Sequence, residues 1–226
     1  MKKRPMTRGF TLIELLVVIA IIAMLAAGAF TGFGAVMPGV RAKQAAKQLT
    51  TINTWLNAFA LEGTNNGQFP QGSTANQAFR QLFMGGYGAD EMQFYIPNDA
   101  YHNTRPNKRP DNDKGQAPDY VQALQPGENA FAYVGGLDNT SDGRLPLIAN
   151  GFANGSPGIW SRNKNDRGGV FEGKKAVVLR VNGSAQAHDL MGGNLFVSEL
   201  NNGQPVNIFS AQFFGTDETP NILNPE

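Results

Sequence analysis

Apolar positions along this chain change their rhythm twice. From Leu12 to Met37 they run almost unbroken, with Glu14 as the one charged residue. From Val36 they recur at Val40, Ala45, Leu49, Ile52, Leu56 and Phe59, mostly three or four apart. Arg41, Lys43, Lys47 and Asn53 fall off that face, so the second stretch reads as an amphipathic helix. Together the two stretches predict one long helix from about Phe10 to Leu61, ended by Gly63 and the turn signal Asn65-Asn66-Gly67.

Beyond the helix the pattern weakens and then becomes β. A helical patch is expected over Ala75–Phe83, followed by a long ordered loop over 84–118, rich in Gly, Pro, Asn and Asp. Ala130–Val134, Leu145–Ala149 and Lys175–Val181 read as strands, with Leu195–Val197 and Ile208–Phe214 as further apolar pieces. Asn182-Gly183 signals a hairpin whose return strand is Ser184–His188. The tail Thr219–Glu226 reads as coil. The predicted fold class is α+β: a long N-terminal helix, half of it transmembrane, packed on a loop-rich antiparallel sheet of about four strands through the stripe Leu49–Phe59.

The middle of the helix is weak. Gly28, Gly32, Gly34, Pro38 and Gly39 cluster there. Pro38 has no N–H to donate and its ring crowds the carbonyl of Gly34, so a kink is expected at Pro38. Small residues in this segment also permit close helix packing.

An apolar run of this length invites three readings. A cleaved secretory signal would use Ala27-Gly28-Ala29 as its exit, but its apolar centre spans only about 7–15 residues. A plain membrane anchor would hold Lys2, Lys3, Arg4 and Arg8 in the cytoplasm. Both leave Glu14 unexplained, because a carboxylate inside a span costs roughly 2.5–3.5 kcal/mol on insertion scales. The third reading starts from Gly9-Phe10-Thr11-Leu12-Ile13-Glu14 directly after that basic start. This run resembles the processing site of type IV pilins and of the pseudopilins of type II secretion. The resemblance implies that prepilin peptidase cuts after Gly9 and methylates Phe10, and that Glu14 is the assembly residue. Gln68-Phe69-Pro70 is similar to the segment after the long helix in pseudopilins.

Charge and cysteine narrow the picture. The 226 residues carry 19 Lys+Arg against 18 Asp+Glu. Removing residues 1–9 takes away four basic side chains and leaves 15 against 18, a net of −3. A surface this weakly acidic gives no case for a nucleic-acid partner. There is no cysteine, so disulfides and thiolate metal sites are excluded.

Candidate chemistry is sparse. His102 and His188 lack metal-ligand spacing, no hydrolase, nucleotide or metalloprotease motif is present, and no enzyme is expected. His188 reads as a surface residue, and Gly86-Tyr87-Gly88 as a lone glycine pair in a loop. Arg105, Lys108 and Arg109, followed by Asp111 and Asp113, read as a solvated turn. Asp138-Asn139-Thr140-Ser141-Asp142-Gly143 offers oxygen ligands of the type calcium prefers, with Asp138 and Asp142 as candidate ligands. A plain Asx-rich turn is the default for this loop.

The expected organisation is a basic leader over 1–9, cleaved; a membrane and filament-core helix over 10–37; its amphipathic continuation over 38–62; and a globular β-containing domain over 63–226. The resemblance implies a single-pass protein of the bacterial inner membrane with its C-terminal domain outside the cytoplasm. It implies later assembly into a filament in the periplasm or on the surface. The implied partners are prepilin peptidase, the inner-membrane assembly platform, the membrane, and copies of the chain and related pilins. The absence of cysteine and the Gln68-Phe69-Pro70 segment favour a pseudopilin. The alternatives are a surface pilus subunit for adhesion, motility or DNA uptake, and a membrane-tethered binding domain that does not polymerise.

Overall fold

The computed structural model describes residues 10–226 except 106, 108, 154–155, 191–194, 202 and 217–218; within helix α1 the side chains of 29–35 are also outside the description. Residues 1–9, and with them Gly9, lie outside the described residues, as does Lys108. The chain divides into two compact units, Met1–Met37 and Pro38–Glu226.

Helix α1 spans Leu12–Leu61 with Pro38 inside it. In the first unit its apolar side chains face outward: Leu12, Ile13, Leu16, Ile19, Ile22 and Leu25 are all exposed. Among the described residues no helix is long and apolar enough to cross a membrane.

The second unit begins with the amphipathic part of α1. Ala42, Ala45, Leu49, Ile52, Leu56 and Ala60 are buried and lie on one face by their three- and four-residue spacing. The helix ends at an αL turn, where Asn66 and Gly67 take φ of 53° and 81° and the Gly67 N–H returns to the carbonyl of Ala60 at 3.1 Å. Helix α2 (Ala75–Met84) follows, capped by Thr74, whose hydroxyl accepts from the N–H of Gln77. It buries Ala78, Phe79, Leu82 and Phe83. Two short 3₁₀ helices, Glu91–Phe94 and Ala100–Thr104, give structure to the expected loop.

Among the described residues, seven strands complete the unit: β1 (Phe131–Val134), β2 (Pro146–Asn150), β3 (Lys175–Arg180), β4 (Ala185–Asp189), β5 (Ser198–Asn201), β6 (Gln204–Asn207) and β7 (Ile222–Leu223). Five form an antiparallel sheet in the order β4-β3-β2-β1-β7; β5 and β6 form a separate hairpin. The β3–β4 hairpin turns at Asn182-Gly183 as expected, with Leu179 opposite Ala185 and Gly183 at φ 83°.

The sheet is covered on both faces, which explains why its strands read as apolar runs and not as alternations. Phe131, Tyr133, Ile148, Val177 and Leu179 pack with α1 and α2 in one cluster. Ala132, Val134, Ala149, Ala176 and Val178 pack with Phe152, Trp160, Ile208 and Phe209 in a second.

One expectation is corrected, and the two further apolar pieces find their places. The tail is not coil throughout: β7 pairs with β1 through Leu223 opposite Tyr133. Two residues are too short to signal a strand locally, and pairing is what defines them. Ile208–Phe214 is not a strand, because Ser210 caps a short helix α3 (Ala211–Phe214). Leu195–Val197 precedes its strand, which begins at Ser198.

Candidate assembly site

The start of α1 is closed by its own sequence. Thr11 precedes the first helical residue, so it takes the N-cap position and Glu14 the third helical position. The N–H of Glu14 donates to Thr11 Oγ1 at 3.3 Å. In return Glu14 Oε2 accepts the N–H of Thr11 at 2.9 Å and its hydroxyl at 2.7 Å. This is a reciprocal capping box, which satisfies donors that a helix start otherwise leaves open. The box engages Oε2 only, and the Glu14 side chain is exposed.

Sequence reasoning treated Glu14 as a charge in need of a partner and missed Thr11. The signal was present: Thr11-Leu12-Ile13-Glu14 has the capping spacing immediately before an apolar run. The carboxylate also lies in the first helical turn, where the macrodipole favours a negative charge. Phe10, the residue before this cap, is 78% exposed.

The other candidates lie elsewhere. Pro38 is buried and α1 is helical on both sides of it. In the loop after β1, Asp138 Oδ1 accepts the N–H and hydroxyl of Thr140 at 2.9 and 2.8 Å and the hydroxyl of Ser141 at 3.0 Å. These bonds hold its carboxyl below the usual range. Asp142 instead pairs with Arg144 at 2.8 Å. The two carboxylates are thus each turned to partners of their own.

Arg105 departs from the expected solvated turn. It reaches Asp111 at 2.5 Å and the buried Glu128 at 3.0 Å, because residues 91–128 fold these groups together. Arg109 lies over the ring of Tyr95 at 5.8 Å. His188 is only partly exposed and its Nε2 is buried without a hydrogen-bond partner. Burial holds its pKa below the ordinary value. His102 is buried between the carbonyl of Gly127 at Nδ1, 2.8 Å, and the N–H of Ile96 at Nε2, 3.3 Å. Burial pushes its pKa down, which fits a neutral structural imidazole.

Residues 4–30 match the prokaryotic N-terminal methylation motif, the signal of type IV pilins and pseudopilins. The N-terminus of this chain is thus similar to the signal of type IV pilin-like proteins, a class that prepilin peptidase processes and that assembles into filaments. The match spans Gly9, Phe10, Thr11 and Glu14. Comparison with curated proteins and with solved structures gave no match.

Proposed function

We propose that this chain is a structural, non-catalytic subunit of a type IV pilus-like filament, specifically a pseudopilin of a type II secretion system. It is clipped after Gly9, methylated at Phe10, held in the inner membrane through the apolar part of α1, and drawn into the filament by the assembly platform. The domain from Pro38 onward faces outward. The observation that carries this reading is the methylation motif over residues 4–30, set at the start of a 50-residue helix. The absence of cysteine and the Gln68-Phe69-Pro70 segment support the pseudopilin assignment within the class.

Two measurements in the native host test it. Mass spectrometry of the N-terminal peptide is expected to give a methylated Phe10; a start at Phe30 would overturn filament assembly. A deletion strain is expected to trap secreted proteins in the periplasm. Normal secretion together with loss of surface filaments would move the chain to the surface pilus subunits. Normal secretion with no filaments in either strain would leave a tethered domain.

A further inference from the structure

Tertiary folding gathers Glu91, Asp111 and Glu128, which lie far apart in sequence. Glu91 opens the first 3₁₀ helix, Asp111 sits in the loop beyond the second, and Glu128 precedes β1. One ligand oxygen from each lies within 4.8 Å of the other two. Glu91 and Glu128 are fully buried, while Asp111 is exposed and forms the open side of the group.

The partners of these carboxylates are incomplete. Glu128 is well supplied: Oε2 accepts the N–H of Gln125 at 2.6 Å, and Oε1 accepts the N–H of Asp111 at 3.3 Å and faces Arg105 at 3.0 Å. Glu91 Oε1 accepts the N–H of Leu124 at 2.7 Å. Its other oxygen, Oε2, is buried with no hydrogen-bond partner. A carboxylate oxygen shut off from water and left bare is costly unless a cation or a proton answers it. Arg105 is engaged by Asp111 and Glu128, and Lys114 is the cation that acts on Glu91, so the three acids outnumber the cations beside them.

We propose that Glu91, Asp111 and Glu128 form a calcium site. Calcium takes oxygens at about 2.3–2.6 Å, so two ligands on opposite sides of the ion stand about 4.6–5.2 Å apart. The three oxygens all lie within 4.8 Å of one another, inside the reach of one such sphere. Magnesium demands near-ideal octahedral geometry and prefers to keep its waters, which suits a partly buried carboxylate cluster less well. Arg105 has a positioning role, since it holds two of the acids in place before the ion arrives. Bound calcium would reinforce the join between the 3₁₀ helix Glu91–Phe94 and the entry of β1, where the N–H of Ala130 already donates to the carbonyl of Phe94 at 2.9 Å. This inference does not depend on filament assembly.

The test uses the full chain in detergent, freed of metal by chelator and titrated with calcium chloride alone. Calorimetry is expected to show one calcium per chain, with magnesium at least tenfold weaker, and the melting temperature should rise with calcium over chelator. Asp111→Asn, at the exposed ligand, should weaken calcium binding at least tenfold and leave the melting temperature in chelator nearly unchanged. Glu91→Gln should abolish the calcium-dependent rise. Asp138→Asn should alter neither. Several weak sites per chain, no calcium-dependent rise, or a rise that survives Asp111→Asn and disappears in Asp138→Asn would each overturn the proposal.

Discussion

Thr11 and Glu14 cap one another, with the Thr11 N–H on Glu14 Oε2 at 2.9 Å and the Glu14 N–H on Thr11 Oγ1 at 3.3 Å. Glu14, to which we assign the assembly role, therefore has a second task within its own chain. It fixes where the helix begins, and hence how Phe10 is presented. The two tasks use different properties of the side chain: capping needs an acceptor, whereas neutralising an amine in a neighbouring subunit needs a charge.

That difference makes a substitution pair informative. Glu14→Gln keeps a capping acceptor and removes the charge; Glu14→Ala removes both. Both variants are expected to insert and to be cleaved after Gly9, and both should lose most filament formation, measured by shearing and electron microscopy. If Glu14→Gln filaments form in normal amount and Glu14→Ala filaments do not, capping is the function of Glu14 and charge pairing between subunits is not.

Phe79 is fully buried, with its ring 4.9 Å from that of Phe94 and 5.1 Å from that of Tyr133. It links α2 to the first 3₁₀ helix and to β1. Phe79→Ala is expected to cost about 3–5 kcal/mol, through lost transfer energy and the cavity left behind. Chemical denaturation followed by tryptophan fluorescence measures this. A loss below about 1 kcal/mol would mean that the aromatic cluster repacks.

Asp99 caps the second 3₁₀ helix, with Oδ1 accepting the N–H of Tyr101 at 3.0 Å while Oδ2 is buried without a partner. Burial raises its pKa to about 7, against an opposing pull from Arg167. The folded state thus holds a proton that the unfolded chain releases near pH 4. This contribution to stability is fully present below about pH 4 and is lost as pH rises through about 7, by an amount on the order of 4 kcal/mol. His102 acts in the opposite sense: its pKa is lowered by burial, so its contribution is lost as pH falls. Asp99→Asn keeps the capping oxygen, so it should flatten the decline between pH 4 and 8 and raise stability at pH 8. A parallel pH profile in the variant would show that Asp99 is ionised in the native state.

The tail is structural. Beyond the β7 pairing, the carbonyl of Asn224 accepts from the N–H of Ala75, and that of Glu226 accepts from the N–H of Gly127 at 2.8 Å. Removal of residues 219–226 should lower the melting temperature by several degrees and expose the β1 edge, which is read by faster amide exchange at Tyr133 and Gly135, whose N–H groups face β7. Unchanged exchange there would show that β1 holds without its outer neighbour.

Local pattern determined much of this protein. The unbroken run from Leu12 and the spacing of Ala42, Ala45, Leu49, Ile52 and Leu56 make the helix legible, because a 3.6-residue period is written along the chain itself. The glycine turns at Gly67 and Gly183 were legible for a similar reason, since each depends on its own backbone angles. Gly9-Phe10-Thr11-Leu12-Ile13-Glu14 carried the functional signal as contiguous residues, and its capping box was equally readable from the Thr11-to-Glu14 spacing. Tertiary structure alone decided the rest. β7 exists only because β1 lies beside Ile222 and Leu223. Both faces of the sheet are covered only because Phe152, Trp160, Val197, Ile208 and Phe209 return across it. Glu91, Asp111 and Glu128 meet only once the loops of 84–128 have packed. Such contacts join residues tens of positions apart, and their energy comes from burial and shared partners that leave no period in the sequence.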